Sequence, residues 1–188
     1  MIIPEAITFE EAIALTQSLI STMEAGELSN QEFAEAIAQL VKSDNGARGF
    51  FVTYLTSEGT LADNPSPELI WALQSSPDTV AELLVKNVAM SAAISMTHRL
   101  EGNEEIAQGS DQVRSRTTGL IEQTALPQVG EFATQLHESA ATGEGAYKAF
   151  LQKWGYDAQQ RQEICDALEQ IIPKEPLEEA TPNPNPDH

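Results

Sequence analysis

The sequence predicts an all-α fold, a single-domain bundle of about eight helices over residues 5–172. Three observations lead to this class. Segment 77–100 has the length of a helix and is apolar on nearly every side. Most other segments repeat apolar residues at helical spacing, with capping residues ahead of them. Only segment 50–55 has strong strand propensity, and it has no second strand to pair with.

The first two helices are indicated by capping boxes. Thr8 with Glu11, and Ser29 with Glu32, each place a hydroxyl residue three positions before a glutamate, ahead of an apolar repeat. Gly26 ends the first helix, since glycine accepts the left-handed conformation that often follows a helix. We therefore expect an antiparallel helical hairpin.

Two shorter helices are expected next. In segment 50–55 the aromatic residues favour a strand, but the spacing i, i+1, i+4, i+5 also fits one helical face, so we predict a helix. Segment 59–64 is a predicted loop. Ser66 and Pro67 then provide a cap and a first-turn proline for a helix reaching residue 73.

The central helix is predicted over 77–100. A helix that is apolar all round is normally buried, so the other helices should surround it. A membrane span needs about 18 uncharged apolar residues. Glu82, Lys86, His98 and Arg99 interrupt this run. We therefore expect a core helix of a soluble protein and no membrane partner.

The remaining helices are separated by glycine and proline. Gly102 breaks the chain before a helix over 104–124, Pro127 opens the next, and Asp157 caps the last. A short helix over 146–154 lies between them. Segment 173–188 is acidic and rich in proline, which predicts a disordered tail.

Charge excludes two classes of partner. The 188 residues include 29 acidic and 10 basic side chains, a net charge of −19. Nucleic acids and anionic membranes are bound through clustered Lys and Arg, so neither is expected. Cys165 is the single cysteine and lies on an apolar helical face, which predicts a buried thiol. With no disulfide framework and no leader pattern, we expect a cytoplasmic protein.

One polar stripe on the central helix is the candidate site. Asn87, Ser91 and His98 fall within about 40° of one another on a helical wheel, and Arg99 is about 100° further round. The stripe either lines a ligand pocket, with His98 as acid or base, or forms an internal hydrogen-bond network. We favour the network, because buried polar groups must be satisfied.

No motif predicts catalysis, a metal or a cofactor. The chain has no Glu-x-x-His pair, no zinc-ligand spacing, no phosphate loop and no Gly-x-Ser-x-Gly elbow. Arg99, Arg114 and Arg116 flank one turn, but their spacing does not bring them into one patch.

Two functions follow as hypotheses. The first is a non-enzymatic cytosolic interaction or adaptor module that binds an unknown protein partner or a second copy of itself. The second is a binding protein or enzyme for a small ligand, anions included, that uses Asn87, Ser91, His98 and Arg99. A cavity beside the polar stripe would favour the second.

Overall fold

The computed structural model describes residues 3–4 and 6–173, which form nine α-helices and no strand. The all-α class is confirmed, with nine helices where the sequence predicted about eight. Their bounds are α1 (Phe9–Glu24), α2 (Asn30–Leu40), α3 (Asp44–Leu55), α4 (Pro67–Gln74), α5 (Pro77–Leu100), α6 (Glu104–Thr124), α7 (Gln128–Thr142), α8 (Lys148–Trp154) and α9 (Ala158–Glu169). Apart from Pro173, the predicted tail 173–188 lies outside the described residues.

The first helices begin as their caps predict. The Glu11 backbone N–H donates to Thr8 Oγ1, and the Thr8 N–H donates to the Glu11 carboxylate. Ser29 and Glu32 form the same box at α2. The hydrogen bonds stabilise the ionised carboxylates, so the pKa values of Glu11 and Glu32 are lowered.

Segment 50–55 is helical and belongs to α3. Tertiary contact decides between helix and strand here, because Phe50, Phe51 and Tyr54 are all buried. Gly49 allows α3 to approach α1 closely: a Cβ at this position would lie 2.5 Å from Ala12 Cβ. The aromatic side chains of α3 therefore enter the core beside a tight helix–helix contact.

Helix α5 is the centre of the bundle. It contacts α3, α4, α6, α7 and α9. Its core side is fully buried at Val80, Leu84, Val85, Ala89 and Ala92. Burial is not uniform, however, because the opposite stripe of Leu83, Asn87, Met90 and Ile94 keeps partial exposure.

By length and composition alone, α5 could cross a membrane. In the fold, 56% of its most apolar 18-residue window is buried inside the protein. The core helix of a soluble protein has the same property, and the fold is consistent with that class.

Candidate ligand-binding groove

The partly exposed stripe of α5 forms the floor of a groove of about 750 Å³. Leu83, Asn87, Met90 and Ile94 follow one another at intervals of four, three and four residues, which places them on one helix face. The stripe spans the twelve residues 83–94, or about 16 Å along the helix axis. "The groove" below means the space above this stripe, bounded by residues of α1, α3, α6 and α8.

The walls of the groove are mainly apolar. They include Val52 and Leu55 from α3, Ile106 and Val113 from α6, and Phe150 and Trp154 from α8. The described structure exposes six large hydrophobic side chains, and four of them lie here: Val52 (45%), Ile94 (37%), Ile106 (53%) and Trp154 (50%). Such a concentration of exposed apolar surface marks an interaction site.

Helix α8 forms one wall of the groove and buries few of its own side chains. Leu151 is the buried residue within its seven residues. The helix lies between Gly145, with φ of +106°, and Gly155, with φ of +64°. Both conformations disfavour residues with a Cβ, so glycine is favoured in the turns on either side of this wall.

Charge in the groove is of one sign. Arg48, Lys86 and Lys153 line it, and none of the chain's 29 acidic residues is among its described lining residues. Lys86 Nζ lies 2.7 Å from Glu82 Oε1, so its charge is already paired. Arg48 stacks over the ring of Phe9, 5.0 Å from the centroid. Neither Arg48 nor Lys153 has an ion pair with a described residue.

Two of the four sequence-predicted site residues line the groove. The side-chain amide of Asn87 forms no hydrogen bond with a described residue. Ser91 also lines the groove, but its hydroxyl is occupied, since it donates to the Asn87 carbonyl oxygen at 2.7 Å. Asn87 is thus the polar group of the floor that is free to bind another molecule.

His98 and Arg99 lie outside the groove. His98 Nδ1 is 3.4 Å from Glu101 Oε2 on the same helix end. Arg99 pairs with Asp111 of α6 and donates to Ser95 Oγ at 2.8 Å, while the Ser95 hydroxyl donates to Asp111 at 2.6 Å. Of the four predicted residues, Asn87 and Ser91 therefore lie in the groove, Arg99 belongs to an interhelical network, and His98 lies beside Glu101 at the helix end.

The network around Asp111 joins three helices. Its carboxylate also accepts a hydrogen bond from Arg114 at 2.9 Å, and Arg114 lies 3.8 Å from Glu163 of α9. The bond from Arg99 lowers the pKa of Asp111, and Asp111 in turn raises the pKa of Arg99. Arg116 lies apart from this network and holds the loop before α4.

A second cavity, of about 270 Å³, lies between α7 and α9 and contains Cys165, His137 and Glu169. His137 Nε2 is 3.3 Å from Glu169 Oε1, and the Cys165 thiol lies 3.8 Å from the His137 carbonyl oxygen. Burial raises the pKa of this thiol, which disfavours the reactive thiolate. The described residues also contain no group of three potential metal ligands of the His, Cys, Asp and Glu types.

The residues that sequence reasoning missed are Arg48, Lys153 and Trp154. Tyr147, Leu151 and Trp154 recur at helical spacing, which predicts one apolar face, yet the first two are buried and Trp154 is half exposed. The scarcity of basic residues could have indicated Arg48 and Lys153, because each of the few cations in so acidic a chain is a candidate for binding a ligand.

The fold and the groove define an all-α single-domain protein with an apolar, cation-bearing surface cleft. The chain belongs to the family described as "Uncharacterised conserved protein UCP020893", whose model matches residues 8–171 and so includes all nine helices. No curated protein and no solved structure matches the chain.

Proposed function

We propose that this protein binds a small amphipathic molecule in the groove. The observation that carries the proposal is the Asn87 amide, which has no hydrogen-bond partner among the described residues and lies on a floor surrounded by exposed apolar side chains. A volume of about 750 Å³ lies within the range of small-molecule sites, about 300–1,000 Å³. Covering this apolar surface stabilises a complex by about 25 cal/mol for each Å² removed from water.

A binding role is favoured over a catalytic one. The described lining residues include no His, Cys, Asp, Glu or Tyr, and the hydroxyls of Thr56, Ser91 and Ser110 donate to backbone carbonyl oxygens rather than to a base that could activate them. The cytosolic location expected from the sequence is part of this proposal.

The interaction module predicted from the sequence is the second candidate. Exposed Trp154, Ile94 and Ile106 are also the kind of anchors that receive an apolar helix face of a protein partner. This candidate includes self-association, which sedimentation over a range of protein concentrations measures directly.

Helix α6 offers a matched pair of variants for the test. Gly109 lines the groove, whereas Gly119 does not, and a Cβ at either position meets no atom within 4 Å. Gly109→Phe therefore has room for its Cβ and adds an aromatic ring to the groove lining, and replacing a helical glycine favours the helix by up to about 1 kcal/mol. Gly119→Phe is the control on the same helix.

The readout is the fluorescence of Trp154 in a Trp71→Phe background, in which Trp154 is the remaining tryptophan. We expect decanoate, titrated below its micelle concentration, to give a saturable change that Gly109→Phe abolishes and Gly119→Phe preserves. The proposal fails if decanoate, 1-decanol and decyltrimethylammonium all leave the emission unchanged. It also fails if Gly109→Phe binds them as well as its control.

A further inference from the structure

We infer that the ligand of the groove is an anion, an amphiphile with one carboxylate or phosphate group on an apolar body. The inference rests on the proposed function and deepens it by naming the ligand class. It is carried by the separation of charge between the groove and the rest of the molecule.

The groove lining contains more basic and fewer acidic side chains than the composition of the chain predicts. At the average composition, the twenty described lining residues would include about three acidic side chains and one basic side chain. The groove instead has three basic side chains and no acidic one. A net charge of −19 repels anions over most of the surface, so a groove without carboxylates is the place where an anion can approach.

The cations differ in their availability. Arg99, Arg114, Arg116 and Lys148 are paired with carboxylates elsewhere in the fold. Lys86 has Glu82 as its partner and lies 5.8 Å from the centroid of the Phe150 ring. In the groove, Arg48 and Lys153 are the cations without an ion pair among the described residues, and they are left for a ligand.

The chemistry of these groups selects an anion. The planar guanidinium of Arg48 presents paired N–H donors that match a carboxylate or a phosphate. Its contact with the Phe9 ring, 5.0 Å from Cζ to the centroid, does not pair the guanidinium with a carboxylate. Lys153 is carried on α8 beside Trp154, so a charged donor adjoins the apolar wall. The Asn87 amide adds N–H donors at the floor.

A small molecule fits the groove better than a helix or a membrane. Its lining comes from five helices, α1, α3, α5, α6 and α8, and its volume of about 750 Å³ lies in the range of small-molecule sites. An α-helix with its side chains is about 10 Å wide and needs an extended face. The strongly acidic surface repels anionic bilayers.

The test compares amphiphiles that share a ten-carbon chain and differ in the head group. The probes are decanoate, decyl phosphate, 1-decanol and decyltrimethylammonium, titrated as monomers against the Trp71→Phe protein. We expect both anions to bind at least tenfold more tightly than the alcohol, and the cation to bind more weakly than the alcohol. A carboxylate ligand and a phosphate ligand are distinguished by which anion binds more tightly.

Charge-removing variants provide the second arm. Arg48→Met and Lys153→Met retain apolar side-chain bulk, and we expect the two together to bring decanoate affinity close to that of the alcohol. Lys42→Met removes a cation that also lacks a described ion pair but lies outside the groove. It should leave the affinity for decanoate unchanged.

Three outcomes overturn the inference. Equal affinity for decanoate and 1-decanol would leave a groove that binds amphiphiles without charge selection, so the proposed function would stand. If phosphatidylglycerol vesicles bind and the monomeric probes do not, the ligand of the groove is a membrane surface and not a monomeric amphiphile. If a fifteen-residue amphipathic Leu/Glu peptide binds and none of the four probes does, the groove receives a protein helix. That outcome would also reject the proposed function.

Discussion

Arg116 uses all five N–H donors of its guanidinium group. It binds both carboxylate oxygens of Asp63 and the carbonyl oxygens of Leu55, Ser57 and Gly59, at 2.6–3.1 Å, and it is only 5% exposed. The side chain of one α6 residue therefore fixes the loop between α3 and α4. The sequence shows three nearby arginines, and only the fold distinguishes this one.

We expect Arg116→Met to lower the free energy of unfolding by about 3 kcal/mol, because it leaves a carboxylate and three carbonyl groups without their donor. Arg116→Lys should restore part of this loss, since an ammonium cannot reproduce the planar fork. Urea unfolding followed by circular dichroism measures both. Arg114→Met is the control, and its partly exposed ion pairs should contribute about 1 kcal/mol or less. Equal losses at 114 and 116 would contradict this account.

Acid should weaken the same contacts. The hydrogen bond from Arg116 lowers the pKa of Asp63, and that from Arg99 lowers the pKa of Asp111. A group whose pKa is lower in the folded state stabilises the fold above its unfolded pKa, near 4 for Asp. This stabilisation is lost as the pH falls through the folded value.

We therefore expect the free energy of unfolding to decrease below about pH 4, and Asp63→Asn to reduce that dependence. Urea unfolding at several acidic pH values measures it. In an Arg116→Met background, Asp63→Asn should have no further effect on the pH dependence. If Asp63→Asn still reduced the pH dependence in that background, a group other than Arg116 would be lowering the pKa of Asp63.

At the scale of the helix, α5 has two apolar sides with different roles. Ala92 is fully buried and Ile94, two residues later, is 37% exposed in the groove. We expect Ala92→Glu to cost several kcal/mol and to unfold or precipitate the protein, because it places a charge in the packed interior. Ile94→Glu should remain folded and lose decanoate binding. Thermal unfolding with the Trp154 titration compares them, and equal stability of the two variants would contradict the two-sided helix.

The sequence could predict α5 and the capping boxes of α1 and α2, because these are local patterns. It also indicated Asn87 and Ser91, since polar residues at helical spacing stand out on an apolar helix. It could not separate Ile94 from Ala92, because hydropathy does not tell a side chain facing a groove from one facing the core. Arg48 and Trp154 come from distant segments, and only the packing of α3 and α8 beside α5 brings them to the same groove.

At the scale of the whole molecule, the net charge of −19 opposes folding, because the acidic side chains repel one another. Salt screens the repulsion among the acidic side chains, so the Tm should rise between about 10 and 150 mM NaCl at pH 7. Salt also screens the attraction between the decanoate carboxylate and the nearby Arg48 and Lys153, which should weaken decanoate binding. A fall in Tm would show that ion pairs such as those of Asp111 outweigh the repulsion.

Helix α8, between its two glycine turns, should exchange its amide hydrogens with solvent faster than the central helix does. This short helix is held by few buried side chains, so its amide hydrogens should be replaced by deuterium well before those of α5. An occupied groove would add contacts at Phe150 and Trp154 and slow exchange in α8, while the rate in α4, on which Trp71 lies outside the groove, should stay the same. Deuterium uptake across α8 would thus report occupancy in the unmodified chain.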